Sequence, residues 1–292
     1  MNSLYTRLDA LLRSDAGARG FSANAGAADM DALVKAFAAA KCALIITGFP
    51  VEADDGHICC ETDGPIGAAH IARAFCDAGK RAYIATDELC YPQLAAAVRL
   101  RAPNAELIKL NGDMEELVGL GIDTVISIER PGKAQDGHCH TAKGRIIDGW
   151  LGADTDEEFE SLHKHGAKTI AIGDGGNELG TGKLFNVTRR VVDHGEDIAA
   201  AQTADITLAS GVSNWWGWGI AAIASVYLNR NVLPDEHEEE RAVLRAILDA
   251  GAVDGITKRS EESIDNIDID KHIALLNEVR GMVKNHLDKQ AE

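Results

Sequence analysis

The sequence contains no apolar run long enough to cross a membrane. The longest candidate is Ile220–Leu228, which falls well short of the roughly 20 apolar residues that a spanning helix needs. The 292 residues are 46% hydrophobic and 26% charged, which is ordinary for a globular protein and excludes a disordered chain, a collagen-like repeat and a disulfide miniprotein. We therefore expect one large domain or two small ones, and no membrane as a partner.

Positive charge is scarce. Lys and Arg number 29 against 46 Asp and Glu, which gives a formal net charge of −17. The sequence has no cluster of basic residues, so nucleic acid is not an expected partner. The acidity agrees with good solubility, and it imposes one condition. A site for an anionic ligand must collect cations or backbone N–H groups locally.

Metal-binding and redox cysteine motifs are absent. The six cysteines include no Cys-x-x-Cys pair, which excludes zinc-ribbon and thioredoxin-type sites. The stretch Met1–Ser14 has no apolar signal core. Free thiols without an export signal favour a reducing compartment, so we expect a cytoplasmic protein.

Short β-branched runs alternate with alanine-rich helical stretches along the chain. This order is typical of an α/β fold with a predominantly parallel sheet and helices on both faces, a Rossmann-like three-layer arrangement. The predicted strands are Ala43–Gly48, Arg81–Thr86, Ala105–Leu110, Thr124–Glu129, Thr169–Asp174 and Asp205–Ser210. The predicted helices are Gly67–Ala78, Tyr91–Arg101, Met114–Leu120, Asp156–His165, Lys183–His194 and Trp216–Leu228.

The pattern changes near residue 233. We interpret residues 1–233 as an α/β catalytic core and residues 234–292 as a C-terminal helical appendage packed on it, the two forming one structural domain. The appendage is predicted to contain the helices Glu236–Ala250 and Lys271–Lys289, separated by an irregular stretch, Gly251–Asp270.

Polar residues follow most of the predicted strands. Ligands of open parallel sheets bind at the carboxyl ends of the strands, so these residues are expected to converge on one rim. The connections 49–65 and 130–152 are also long, which is typical of functional loops. The rim residues are Glu61, Asp63, Gly64, Asp87, Glu129, Arg130, Asp174, Gly175, Gly176, Asn177, Glu178, Ser213 and Asn214.

The segment GDGGNELGTGK, residues 173–183, has five glycines in eleven residues between a predicted strand and a predicted helix. Such a loop can turn its N–H groups toward an anion, and the alternative is a tight turn. It is not a Walker A loop, because Asn177 stands where the first glycine is needed. It is not a dinucleotide fingerprint either, because Glu178 stands where the third glycine is needed.

The segment IERPGKAQDGHCH supplies Glu129, Arg130 and Asp136, with Lys143 just beyond it. Arg130 is of the type that forms a two-bond pair with a carboxylate. The histidines at 138 and 140 are a weaker metal candidate, because no third ligand stands at a typical spacing.

Three tryptophans fall within the segment SNWWGW, residues 213–218. Ser213 and Asn214 are expected to supply hydrogen bonds to a site. The tryptophans are expected to pack in the core, in a subunit interface or in a lid, and a homo-oligomer is therefore an open alternative.

Five segments together resemble the D-glutamate cyclase family. They are TGFPVE (47–52), ETDGPIG (61–67), IERPGKAQDG (128–137), GDGGNELGTGK (173–183) and SGVSNW (210–215). The resemblance spans about Thr47 to Trp215. It implies a hydro-lyase whose small-molecule substrate, D-glutamate, closes to 5-oxo-D-proline with loss of water. The preference for the D isomer rests on the resemblance alone.

That reaction needs a base for the α-amine, an acid for the departing oxygen, and cations or N–H groups for two carboxylates. The candidate catalytic residues are Glu61, Asp63, Asp174 and Glu178. The candidate substrate-binding residues are Gly64, Asp87, Glu129, Arg130, Asp136, Lys143, Gly175, Gly176, Asn177, Lys183, Ser213 and Asn214. Alternatively, Mg²⁺ or Mn²⁺ bound by Asp63, Asp174 and Glu178 would polarise the γ-carboxylate.

Two other functions stay open at this point. ETDGP and GDGGNE are loosely similar to acidic motifs of haloacid-dehalogenase-type phosphatases, which are magnesium-dependent hydrolases. In those enzymes an aspartate directly ends the first strand, whereas Glu61 lies well beyond the first strand here. The chain could also bind an acidic amino acid without catalysis, since a fold alone does not decide function.

Overall fold

The structure, a computed structural model, describes residues 3–234 and 237–291. The described strands, numbered along the chain, are β1 (Cys42–Thr47), β2 (Pro50–Glu52), β3 (Ile58–Cys60), β4 (Arg81–Thr86), β5 (Glu106–Lys109), β6 (Thr124–Ile128), β7 (Lys168–Gly173), β8 (Ile206–Ala209), β9 (Ser263–Ile264) and β10 (Ile267–Asp268). Six of them form a parallel sheet in the order β5-β4-β1-β6-β7-β8. The pairs β2–β3 and β9–β10 are antiparallel.

All six predicted strands are confirmed, each to within one residue at either end. The central strand β1 is buried along its whole length, as expected of an apolar strand covered on both faces, whereas the edge strand β5 is partly exposed. The hairpin β2–β3 was not predicted. It lies in the long connection after β1, and its second strand ends directly before Glu61.

The described helices are α1 (Ser3–Leu12), α2 (Phe21–Asn24), α3 (Met30–Ala39), α4 (Pro65–Asp77), α5 (Tyr91–Arg101), α6 (Met114–Gly119), α7 (Thr155–Lys164), α8 (Phe185–Val191), α9 (Gly195–Ile198), α10 (Trp215–Leu228), α11 (His237–Asp249) and α12 (Ile269–Ala291). Within the described residues, no helix is both long and apolar enough to cross a bilayer. The predicted start of α11 at Glu236 lies outside the described residues.

The predicted helix Lys183–His194 is wrong in its length. A 3-10 turn at Gly182–Leu184 precedes α8, and Val192 is already extended. Two successive β-branched residues at this point disfavour further helix. The helices before residue 42 were also missed, although Asp29 caps α3 by accepting the N–H of Ala32 at 2.9 Å.

The sheet separates two apolar layers. Ile45 of β1 packs with Ile71 of α4 and Ile223 of α10 on one side. Leu44, its neighbour in β1, packs with Phe159 of α7 on the other side. This alternation confirms the three-layer α/β prediction.

Trp215, Trp216 and Trp218 lie inside the larger layer, each at most 2% exposed. Trp216 donates its indole N–H to the carbonyl of Ala209 at 3.0 Å, and Trp215 donates to His272 Nδ1 at 2.9 Å. The prediction of core packing is confirmed for these side chains.

Segments from both ends of the chain complete the same core. Leu244 and Ile247 of α11 and Val279 of α12 belong to the larger apolar layer, as does Leu8 of α1. The division at residue 233 stays a prediction, because one shared core does not by itself define a boundary. The irregular stretch 251–270 contains the short β9–β10 hairpin.

A buried polar network joins α4, α5 and α11. Arg101 Nε donates to His70 Nδ1 at 2.9 Å, and His70 Nε2 lies 2.6 Å from Glu240 Oε1. Because Nδ1 accepts a bond, the ring carries its proton on Nε2 and is neutral. Burial lowers the pKa of His70 below its usual range.

We expect His70→Gln to destabilise the protein at pH 7.5 by about 1–3 kcal/mol, because it disrupts a buried hydrogen-bonded network. The difference from wild type shrinks toward pH 5.5. In the unfolded chain His70 binds a proton below about pH 6.5, whereas in the folded protein its lowered pKa disfavours protonation. Acidification therefore lowers the free energy of unfolding of wild type by up to about 1 kcal/mol, and the variant, which lacks this histidine, does not lose that stability. Urea denaturation of both proteins at pH 7.5 and pH 5.5 measures the difference in their free energies of unfolding.

The exposed His165, which caps the end of α7, provides the matched variant His165→Gln. We expect its stability difference from wild type to be small at both pH values. A His70→Gln difference that stays constant or grows on acidification contradicts a neutral buried imidazole.

Candidate active site

Carboxylates from four segments meet at the carboxyl end of the sheet. We call this set the acidic cluster: Asp63, Glu129, Asp174, Glu178 and Asp265. Each of these residues is at most 7% exposed. Oxygen atoms of Asp63, Asp174 and Asp265 lie within 4.8 Å of one another, and so do those of Glu129, Asp174 and Glu178. Asp174 is thus shared by two groups of three carboxylates.

Glu61 lies beside the acidic cluster at the end of the β2–β3 hairpin. It is only 7% exposed, and a Cβ atom at Gly255 would lie 1.8 Å from its Oε2. Burial raises the pKa of Glu61 well above its usual range, and the negative charge of Asp265 raises it further, while Lys258 acts in the opposite direction. Burial and the charge of Asp265 both favour the protonated form of this side chain.

The glycine-rich loop after β7 turns its N–H groups toward a carboxyl group, as expected, but that group belongs to the loop's own Glu178. The backbone N–H groups of Asp174, Gly175 and Gly176 donate to the Glu178 carboxylate at 2.9, 2.6 and 2.7 Å. Gly176 is needed here, because its φ is +86° and a Cβ would lie 2.1 Å from Thr188 Oγ1. The backbone amides of Gly175 and Gly176, which the sequence predicted to bind substrate, are therefore already hydrogen-bonded to Glu178.

Asp63 and Asn214 join the starts of α4 and α10. The Asp63 carboxylate accepts the N–H groups of Ser213 and Asn214, both at 2.8 Å. In return, Asn214 Oδ1 accepts the N–H groups of Gly64 at 2.9 Å and Gly67 at 2.6 Å. Burial, together with Asp265, raises the pKa of Asp63 to about 7 against the effect of these N–H donors.

Arg19 supplies positive charge to the acidic cluster. One of its terminal nitrogens pairs with Asp174 Oδ1, and the other lies 2.8 Å from Asp265 Oδ2. Burial opposes the charge, but these two carboxylates outweigh it and raise the pKa of Arg19. Asp15 shapes the turn by accepting the N–H of Arg19 at 3.1 Å and that of Gly20 at 2.9 Å.

Glu129 closes the inner side of the acidic cluster. Its backbone is left-handed, with φ of +43°, a conformation that costs energy for a residue with a side chain. Burial, followed by the charges of Asp174 and Glu178, raises its pKa well above the usual range.

The structure does not bring Arg130 into the acidic cluster as a free cation. Its side chain is fully buried, and it donates to Asp87 Oδ2 at 2.8 Å, to the carbonyl of Gly48 at 3.3 Å and to Thr155 Oγ1 at 3.3 Å. Arg130 and Asp87 neutralise one another beneath the rim. That Arg130 and Asp87 bind substrate stays a prediction, and their pairing with each other does not favour it.

Three further predicted residues lie apart. Lys183 donates to the carbonyl of Asp205, at the opposite end of the sheet from the acidic cluster. Asp136 and Lys143 lie in the segment after Arg130, where Asp136 pairs with His140. In the described part of the chain, no hydrogen bond or ion pair joins them to the acidic cluster. Asn177 is buried and donates to the carbonyl of His140 at 3.0 Å.

Arg19 and Asp265 were missed in the sequence because neither follows a strand of the central sheet. Arg19 lies in a turn before the first predicted element. Asp265 lies in the turn of β9–β10, where Asp265 and Asn266 both have positive φ. The Asp-Asn pair is a turn signal, but nothing in the sequence places that turn beside Asp174.

Comparisons with known proteins identify the family of this chain. The family model described as "D-glutamate cyclase-like, C-terminal" matches residues 8–280, a range that includes Arg19, Asp265 and all the carboxylates above. The curated "D-glutamate cyclase, mitochondrial" of Homo sapiens is 29% identical over 238 residues, which is 71% of this chain.

The chain spans only 38% of the length of that human relative. The relative's name places that protein in mitochondria, so the cytoplasmic location expected for this chain stays a prediction. The family match covers nearly the whole chain and every segment of the candidate site. The chain therefore belongs to the D-glutamate cyclase-like, C-terminal family.

Proposed function

We propose that this protein is a D-glutamate cyclase, a hydro-lyase that closes D-glutamate to 5-oxo-D-proline and releases water. The observation that carries the proposal is that Glu61, Asp63 and Arg19 lie close enough at one rim for their charges to interact. The family and the name of the human relative support the same reaction. Because that relative is longer and only 29% identical, the activity of this chain needs its own test.

The charges of the site suit a substrate with one ammonium and two carboxylates. The acidic cluster attracts the ammonium group, and Arg19 attracts a carboxylate. The Arg19 side chain stays 24% exposed while it pairs with Asp174 and Asp265, so a ligand can reach it from outside. Arg19 thus meets the requirement for a local cation in a chain of net charge −17.

The protons of the reaction can be assigned to Asp63 and Glu61. The ammonium nitrogen must lose two protons as it forms a bond to the carbon of the γ-carboxylate, and the departing oxygen must gain two to leave as water. Asp63, whose pKa is about 7, suits the base, because a base works best near the ambient pH. Glu61 suits the acid, because burial raises its pKa and so favours the protonated form.

The phosphatase alternative has less support. Strand β1 ends at Thr47, and the β2–β3 hairpin separates it from Glu61. The aspartate that directly ends the first strand in those enzymes therefore has no equivalent here. Binding without catalysis stays an outcome of the experiment below.

We expect purified protein to convert D-glutamate, and not L-glutamate, to 5-oxoproline. Proton NMR of the two isomers in separate samples, each supplied with Mg²⁺ and Mn²⁺, measures the conversion. Tight binding of D-glutamate without product would favour a binding protein. No product and no binding in a folded sample would exclude the proposed reaction.

Glu61→Gln should lower kcat by about 100- to 10,000-fold, because an amide cannot donate the proton that the departing oxygen needs. KM should change much less. The matched control is Glu88→Gln, since Glu88 is an exposed acid near the same rim that pairs with Lys109. Equal kcat values for Glu61→Gln and wild type would rule out this assignment.

Arg19→Lys should raise KM for D-glutamate by about tenfold or more, because lysine keeps the charge but loses the planar pair of donors. The exposed Arg7 on α1 provides the control Arg7→Lys. Steady-state kinetics and circular dichroism of both variants separate substrate binding from folding. An unchanged KM in a folded Arg19→Lys variant would argue against a substrate contact.

A further inference from the structure

The group formed by Glu129, Asp174 and Glu178 carries more negative charge than its neighbours compensate. The three side chains are at most 6% exposed, and their oxygens approach within 4.8 Å of one another. Among the described residues, Arg19 is the one cation that pairs with this group, and it contacts only Asp174. Buried carboxylates without compensation are costly, so the group must hold protons or a cation.

Two oxygens of this group are buried and have no hydrogen-bond donor among the described residues. They are Glu129 Oε2 and Asp174 Oδ2. Arg19 occupies the other oxygen of Asp174. A buried acceptor without a donor costs about 1–3 kcal/mol, and native structures rarely leave one without a partner such as water or an ion.

Glu178 adds a carboxylate whose orientation is fixed by the backbone. Its three backbone N–H donors fix the direction of both oxygens. Oε1 accepts two of these donors, whereas Oε2 accepts one and keeps a lone pair for a further partner. Glu178 thus differs from its two partners, because its carboxylate is held in place before any ligand arrives.

We propose that Glu129, Asp174 and Glu178 bind one hard divalent cation, Mg²⁺ or Mn²⁺. Carboxylate oxygens are the donors that these ions prefer, and three of them leave coordination positions for water or a ligand. One cation would compensate the oxygens that now lack donors. The inference does not depend on the proposed reaction, because it concerns binding in the absence of substrate.

The proposal changes the ligand set expected from sequence, which was Asp63, Asp174 and Glu178. The structure places Asp63 in the other group of three, with Asp265, where Arg19 is the cation. Asp63 also accepts N–H groups on both oxygens. Glu129 takes its place, because one of its carboxylate oxygens lies within 4.8 Å of oxygens of both Asp174 and Glu178.

The test is direct Mn²⁺ binding to the whole chain after treatment with a chelator. Isothermal titration calorimetry should give about one Mn²⁺ per chain, electron paramagnetic resonance should show loss of the free-ion signal, and Mg²⁺ should compete. The melting temperature should rise with Mn²⁺, because a ligand that binds only the folded state stabilises it. If folded wild type does not bind Mn²⁺ at millimolar concentration, the proposal is overturned, and protons rather than a cation compensate the three carboxylates.

Glu129→Gln should weaken Mn²⁺ binding by at least about tenfold. Asp265→Asn, in the other group, should keep affinity within about threefold of wild type, since its side chain contacts Arg19 and not the proposed ion. The reverse pattern would move the ion to the other group and overturn the ligand set. Because D-glutamate is absent from these titrations, failure of metal binding and failure of the cyclase reaction are separate outcomes.

Discussion

The pairing of Arg19 with Asp174 and Asp265 connects three parts of the chain that are distant in sequence. The turn after α1, the loop after β7 and the β9–β10 turn meet at this one guanidinium group. Buried ion pairs are expensive to desolvate, and removing one partner leaves the other charge without compensation. The position of both terminal segments on the α/β core therefore depends on the same cation that serves the site.

A second constraint is the reciprocal bonding of Asp63 and Asn214. It sets α4 and α10 with their first turns side by side, so closely that a Cβ at Gly67 would lie 2.7 Å from the Cα of Asn214. The same two helices pack in the larger apolar layer. Core packing and site geometry are thus coupled, and a change at either helix start would move the Asp63 carboxylate.

Most of the cations and N–H groups near the site are already paired with carboxylates of the protein. Two loops that looked suited to an anionic ligand instead satisfy groups of the protein itself. The glycine-rich loop holds Glu178, and Arg130 holds Asp87. What remains for a ligand is a set of carboxylates with raised pKa values and one partly exposed arginine. Such a site favours a ligand that brings positive charge or protons along with its carboxylates.

The sequence by itself determined the α/β class, the six strands and the rim on which the site lies. Each of these follows from local information, namely apolar runs of strand length and polar residues directly after them. The motifs also identified the family, since Glu61, Asp63, Asp174 and Glu178 all lie in the segments that carried the resemblance.

Only the tertiary structure decided which partner each charged side chain has. The sequence pointed to Arg130 and Lys183 rather than to Arg19, yet Arg130 is buried against Asp87 and Lys183 lies at the opposite end of the sheet. Arg19 and Asp265 reach Asp174 across about 155 and 90 positions of the chain. Ion pairing depends on distance in space and on burial, and neither quantity is encoded in the local spacing of residues.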